Sequence, residues 1–151
     1  MDARHFLFSF RGRITRADFW FLALVAAFIW GAIVFVWRLP VDALRGLLAF
    51  PFLIVGLVVW FSAATRRLHD RGKSAWYLLL FIGLPSILLS WQEGKLGVRI
   101  AVDFTTDASF IDLVCSAIYV WMFVELGGLR GTAGPNLYGA DPSRVVETES
   151  S

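Results

Sequence analysis

The sequence predicts an all-α integral membrane protein, a four-helix bundle whose polar connections form a cap of loops on the cytoplasmic side. Three observations predict it. Of the residues, 58% are hydrophobic and 17% charged, where a soluble domain carries about a quarter charged. Four long apolar runs follow one another along the chain. Six of the seven tryptophans (Trp20, Trp37, Trp60, Trp76, Trp91 and Trp121) fall at or near the ends of those runs. Indole rings favour that level because the ring is apolar while its N–H seeks water or a headgroup. The length suits one compact helical unit and excludes a membrane domain with a separate soluble enzyme. Residues 1–142 are expected to form a single membrane domain, and 143–151 a disordered tail.

The first run, 19–37 (FWFLALVAAFIWGAIVFVW), contains no charge. At about 1.5 Å per residue it makes roughly 28 Å of helix, close to the ~30 Å hydrocarbon thickness. It is too long for a signal-peptide core, and no small-x-small cleavage site follows it. The second, 44–64, carries Arg45 at its outer end, where a long side chain snorkels to the interface. Pro51 stands in its early turns, where neighbouring helices can satisfy the freed carbonyl. The third, 76–91, spans only about 24 Å as helix and is interrupted by Gly83 and Pro85. It is read as a short span, kinked or re-entrant. The fourth, 108–126, has Asp112 near one end and Glu125 near the other.

With four crossings, the amino tail, the middle connection and the carboxyl tail share one side. They carry Arg4, Arg11, Arg13, Arg16, Arg66, Arg67, Arg71, Lys73, Arg130 and Arg144, ten in all, against Arg38, Arg45, Lys95 and Arg99 opposite. The positive-inside rule then predicts a multi-pass protein with both ends cytoplasmic. The outer connection from Gln92 to Asp107 is longer than a turn, and 98–104 alternates like a short strand or interfacial segment.

Three polar motifs lie on the predicted cytoplasmic face. In the first, Phe10 to Trp20, Thr15 and Asp18 have capping-box spacing. The second, Arg66 to Trp76, offers Gly72 or Ser74 as the start of the third span. The third, Gly134 to Pro142, is dense in turn formers. The strings GRITRADFW, RRLHDRGKSAW and GPNLYGADP resemble the bacterial domain-of-unknown-function family numbered 805 (DUF 805), over about Phe6 to Pro142. That resemblance implies a small inner-membrane protein and implies no activity.

The motif residues support several chemistries. Arg11, Arg13, Arg16, Arg66, Arg67 and Lys73 suit an anionic headgroup or phosphate, because guanidinium groups offer paired donors. Asp18, Gly72, Asn136, Tyr138 and Asp141 read as the structure of the cap, with the carboxylates tying arginines of different motifs together. His69 beside Asp70 is the weak catalytic candidate, since a carboxylate can orient and activate an imidazole. No phosphate-binding loop of the Walker type fits Gly72-Lys-Ser74, because the position that needs the first glycine is Arg67. The two histidines and single cysteine, Cys115, show no metal-ligand spacing, so neither a metal nor a cofactor is expected. Cys115 reads as a small buried residue.

The leading expectation is a non-enzymatic module that binds anionic lipid or a protein partner through its basic cap. The alternatives are a small enzyme acting on a phosphorylated lipid through His69 and Asp70, and an oligomeric ion or solute pathway using Asp112 and Glu125. Ala23, Ala27 and Gly31 form a small-residue ladder for intrachain packing or a homodimer. No nucleic-acid partner is expected.

Overall fold

The computed structural model describes residues 3–38, 42–92 and 110–142. The expected outer strand at 98–104 and the tail 143–151 lie outside the described residues. All of the named elements are helical: α1 (Ala3–Phe8), α2 (Arg16–Val36), α3 (Asp42–Asp70), α4 (Leu84–Gln92) and α5 (Phe110–Phe123). A π-helical turn, Leu79–Gly83, precedes α4, and another, Val124–Gly128, follows α5. Three helical stretches, Arg16–Val36, Gly46–Asp70 and Phe110–Gly128, are long and apolar enough to cross a membrane, and Leu79–Ser90 is a shorter apolar helix. This is the helical membrane bundle the sequence predicts.

The expected capping box starts α2. Thr15 Oγ1 accepts the Asp18 N–H at 3.2 Å, and Asp18 Oδ2 accepts the Thr15 N–H at 3.1 Å. Two first-turn donors that the helix itself cannot satisfy are met in this way.

The second helix differs from its expected bounds. It does not stop at Ala64 but continues to Asp70, so Arg66, Arg67, His69 and Asp70 are helical rather than part of a loop. Its 29 residues make about 43 Å of helix, more than the hydrocarbon needs, so polar turns extend beyond it. Gly72 ends it. With φ at +69° it takes the left-handed position; its N–H donates to His69 O at 3.0 Å, and the Lys73 N–H to Leu68 O at 2.8 Å. That pair of bonds is a Schellman closure, which a glycine after the helix makes cheaply. The third helix then starts after Ser74, whose carbonyl accepts the Tyr77 N–H at 3.2 Å.

The helix from Leu84 to Gln92 runs unbroken behind its π-helical turn. Pro85 has no N–H to offer Phe81, and the ladder widens: the Leu84 N–H donates to Leu79 O, five residues back.

The core is thin and small-sided. Leu22 and Ala26 of α2 meet Val59, Ala63, Ala64 and Leu68 of α3, with Phe81 and Leu126 closing the cluster. Helix α2 packs on α3 along a small-residue crossing at Gly56, where a β-carbon would stand 3.2 Å from Ile29 Cγ2. Ala27 and Gly31 face outward, and nothing among the described residues lies within 4 Å of a β-carbon built on Gly31. Cys115 is buried, with its Sγ 3.9 Å from Pro85 O.

Candidate functional site

The three polar motifs meet at one end of the bundle, around Asp70. Its Oδ1 accepts from Arg13 Nε at 3.0 Å and lies 2.9 Å from Arg13 Nη2, while Oδ2 accepts from Arg67 Nη1. Its main-chain oxygen takes the Thr132 N–H at 2.8 Å and the Thr132 hydroxyl at 3.0 Å. One aspartate on α3 thus joins the segment before α2 to the segment after α5. Gly131 packs so tightly on this carboxylate that a methyl group there would collide with it. The Arg13 and Arg67 side chains are 1% and 0% exposed.

Why so many arginines point inward follows from the end of α5. The last carbonyls of a helix have no partner within it, and the π-helical turn carries that end through Glu125, Leu126 and Gly127, all buried. Side chains from the other helices meet those carbonyls in sequence. Arg67 Nε donates to Leu126 O at 2.9 Å, Trp20 Nε1 to Gly127 O at 3.2 Å, and Arg16 Nη1 to Gly128 O at 3.2 Å. Arg67 Nη2 reaches Leu129 O, and Arg71 Nη1 reaches Arg130 O. Arg13 then donates to Thr132 O and Gly134 O, both at 2.6 Å. Cationic donors at a helix carboxyl end also oppose the negative pole of its dipole. The close seat of the Trp20 indole is possible only because residue 127 is glycine.

Two further arrangements complete the cap. Arg66 donates to Phe6 O and, at 3.2 Å, to Ser62 Oγ; Ser62 Oγ in turn donates to Ser9 O at 2.8 Å. This holds α1 against α3. Glu125 Oε1 accepts from Arg71 Nε at 3.0 Å and lies 2.9 Å from Lys73 Nζ. The Lys73 ammonium also sits 5.0 Å from the Tyr77 ring centroid, within reach of a cation–π interaction.

The predicted residues separate into groups. Arg13, Arg66 and Arg67 are inward and bonded within the chain; Lys73 is half-buried on Glu125. Arg11 and Arg16 have exposed positions. Asp18 completes the cap of α2, and its charge also acts favourably on Arg66 of the second motif. Asn136 Nδ2 donates to His69 O at 2.9 Å and to Thr132 Oγ1 at 3.0 Å, and Tyr138 stacks on the His69 ring with centroids 3.9 Å apart. Asp141 Oδ2 accepts the Gly134 N–H at 3.0 Å.

His69 and Asp70 do not form a dyad. Neighbouring residues on a helix point about 100° apart; the Asp70 carboxylate goes to the arginines and His69 Nδ1 faces Gly12 O at 3.3 Å. Sequence reasoning missed Arg71, Glu125, Gly131 and Thr132 as members of the site. The signal for Glu125 was available: a carboxylate ending one span, on the same side as a loop holding Arg71 and Lys73.

A cleft of about 440 Å³ opens beside this network. It is lined by Thr15, Arg16 and Ala17 at the start of α2, by Arg67 and Asp70 of α3, and by Arg130 to Ala133, Asp141 and Pro142 beyond α5. Among the described residues no three His, Cys, Asp or Glu side chains cluster as metal ligands.

The family described as "Protein of unknown function (DUF805)" matches residues 7–140. The "Uncharacterized protein YiiR" of Escherichia coli K12 is 33% identical over 163 aligned positions, which cover 96% of this chain and 93% of the relative. The "Inner membrane protein YhaI" of the same organism is 28% identical over 89% of this chain and 86% of its own length. The "Inner membrane protein YhaH" is 33% identical over 49% of this chain and 64% of its own length. No solved structure matches the chain. The chain belongs to the DUF805 family.

Proposed function

We propose that this DUF805 protein is a non-enzymatic module of the bacterial inner membrane whose basic cap, on the cytoplasmic side, meets anionic lipid headgroups. The observation that carries the reading is the division of labour among the cations. Arg13, Arg66 and Arg67 are buried in the service of main-chain carbonyls and one aspartate, so the cap is built before any ligand arrives. Arg11, Arg16 and Arg130 remain exposed at the same end of the bundle, where each basic residue near an anionic surface contributes about 1 kcal/mol. The excess of Lys and Arg in the capped segments supports cytoplasmic ends, and the relatives named as inner membrane proteins support the location.

Native mass spectrometry of the protein released from membranes of mixed neutral and anionic lipid tests the reading. Preferential retention of anionic lipid that fades as salt rises is the expected result; equal retention of both lipids would refute it.

A homodimer through Ala23, Ala27 and Gly31 is a second proposal. The outward placement of Ala27 and Gly31 favours it, because small residues let two helices approach closely.

A further inference from the structure

The outward arginines do not only decorate a surface; two of them, Arg16 and Arg130, line the same cleft. Arg16 comes from the start of α2, and Arg130 from the segment beyond α5. Thr15 to Ala17 lie at the amino terminus of a 21-residue helix; the capping box meets the Thr15 and Asp18 N–H groups, which leaves those of Arg16 and Ala17 without an acceptor in the helix, at the end whose dipole favours an anion. Arg67, which also lines the cleft, is fixed by Leu126 O and Asp70.

The charges can be summed. Arg16, Arg67 and Arg130 are three cations lining the opening; Asp70 and Asp141 are its two carboxylates. One positive charge is left. Both oxygens of Asp70 are engaged by arginine, and Asp141 accepts the Gly134 N–H, so neither carboxylate is aimed unpaired at the opening. A cleft with one surplus positive charge, lined by guanidinium groups from three segments of the chain and by a helix amino terminus, suits a monoanion with several acceptor oxygens. Its depth along the bundle supplies the source. Arg16 is the first residue of a membrane-crossing helix and Trp20, one turn further on, donates to Gly127 O; this is the level of phospholipid headgroups.

The geometry points to the cleft between Arg16 and Arg130 as a phosphoryl site for the phosphodiester of one anionic phospholipid headgroup. The inference rests on the reading of the cap as a headgroup-binding surface, and it adds a single saturable site to that surface.

The test uses the full chain in nanodiscs containing equal phosphatidylglycerol and phosphatidylcholine, with lipids counted by native mass spectrometry at low salt and at about 0.5 M salt. At the higher salt, attraction to exposed charges is largely screened while a held ion pair is screened less. One phosphatidylglycerol per chain should survive the salt. Arg130→Gln and Arg16→Gln should each weaken that retention roughly tenfold, as expected for losing one charge-assisted bond, while Arg38→Gln at the other end of α2 leaves it unchanged. Arg130 has an exposed position, so a melting curve equal to that of the unsubstituted protein should accompany the loss.

If phosphatidylglycerol is preferred at low salt but none survives the salt, or if Arg130→Gln and Arg16→Gln retain it fully, the cleft proposal falls and the surface reading stands. If neither lipid is preferred at low salt, both fall. Glycerol phosphate and inorganic phosphate, added to the delipidated protein in detergent, separate the sources. Saturable binding of either that Arg130→Gln weakens would overturn the lipid as occupant in favour of a soluble phosphate ester.

Discussion

Helix α3 is two different helices in one. Between Gly46 and Val58 only Ala49 and Gly56 are buried, while Phe50, Phe52, Ile54, Val55 and Leu57 are exposed. Between Ser62 and Asp70 every residue except His69 is buried, and among the buried ones are Ser62, Thr65, Arg66, Arg67 and Asp70. The first stretch is apolar outside and the second polar inside, the reverse of a soluble helix on both counts. Outward leucine and phenylalanine lose nothing when the solvent is hydrocarbon, so the first stretch needs only small residues where α2 crosses. The second stretch stands where several helix ends converge. The Leu126 carbonyl there is buried, and left unmet it would be costly. Inward guanidinium groups are the remedy, each carrying several donors in a fixed fork.

The comparison is broken most directly at Arg67. Arg67→Ala would leave Leu126 O and Leu129 O without their donor and Asp70 with one cation fewer. Removing one partner of a buried ion pair typically costs about 3–5 kcal/mol. Unfolding of the detergent-solubilised protein should report a loss of that size, whereas Leu57→Ala on the outward stretch should stay within about 0.5 kcal/mol. Arg67→Lys should recover only part, since an ammonium cannot span three acceptors held in different directions. Equal losses at Arg67 and Leu57 would end the distinction between the two stretches.

A smaller effect is expected at Gly131. A methyl group there must displace a carboxylate that two arginines hold. Gly131→Ala should destabilise by about 2 kcal/mol, in the range of overpacked sites. It should also loosen the segment from Thr132 to Asp141, read as faster amide exchange there.

How much of this was legible in sequence follows the same division. The apolar runs announce themselves, because a helix in hydrocarbon must be apolar for some twenty residues. The predicted topology puts the charges and turn formers of the three motifs on one side; their meeting around Asp70 comes from the structure. The direction of the arginines was not. A sequence displays a cation but not the carbonyl it answers, so Arg13, Arg66 and Arg67 looked like a surface for lipid. The end of α3 was misjudged for a related reason. Arg66 and Arg67 looked like the exit from a span, whereas the helix ends only where Gly72 can turn left-handed. Glu125 looked like an ordinary interfacial carboxylate until Arg71 and Lys73 were found on it.

His69 sharpens the contrast from within the buried stretch, since it is the residue there that is not fully covered. Its ring stacks on Tyr138 and meets Gly12 O through Nδ1, while Asn136 holds its main-chain oxygen rather than its side chain. His69→Ala should therefore cost about 1 kcal/mol, the worth of an aromatic pair with a modest hydrogen bond. Lipid retention by the cap should be unchanged. A normally inserted His69→Ala protein that lost a turnover measured in the parent would instead favour the enzyme alternative.

The smallest effect on the fold is expected on the outward face of α2, at Gly31. Nothing among the described residues lies within 4 Å of a β-carbon there, so Gly31→Leu should change the stability of the single chain by no more than about 0.5 kcal/mol. The same substitution would separate two helices that approach along Ala23, Ala27 and Gly31, because close backbone approach is what the small side chains allow. Crosslinking in the membrane, or energy transfer between labelled copies, should then report a weakened dimer beside an unchanged melting curve. A dimer that tolerates leucine at 31 would place the seam elsewhere. A melting curve that falls with dimerisation unchanged would mean the face is covered within the chain. The two stretches of α3 differ in what a substitution does to the fold; on the outer face of α2 the proposed dimer is what a substitution would change, with the fold left alone.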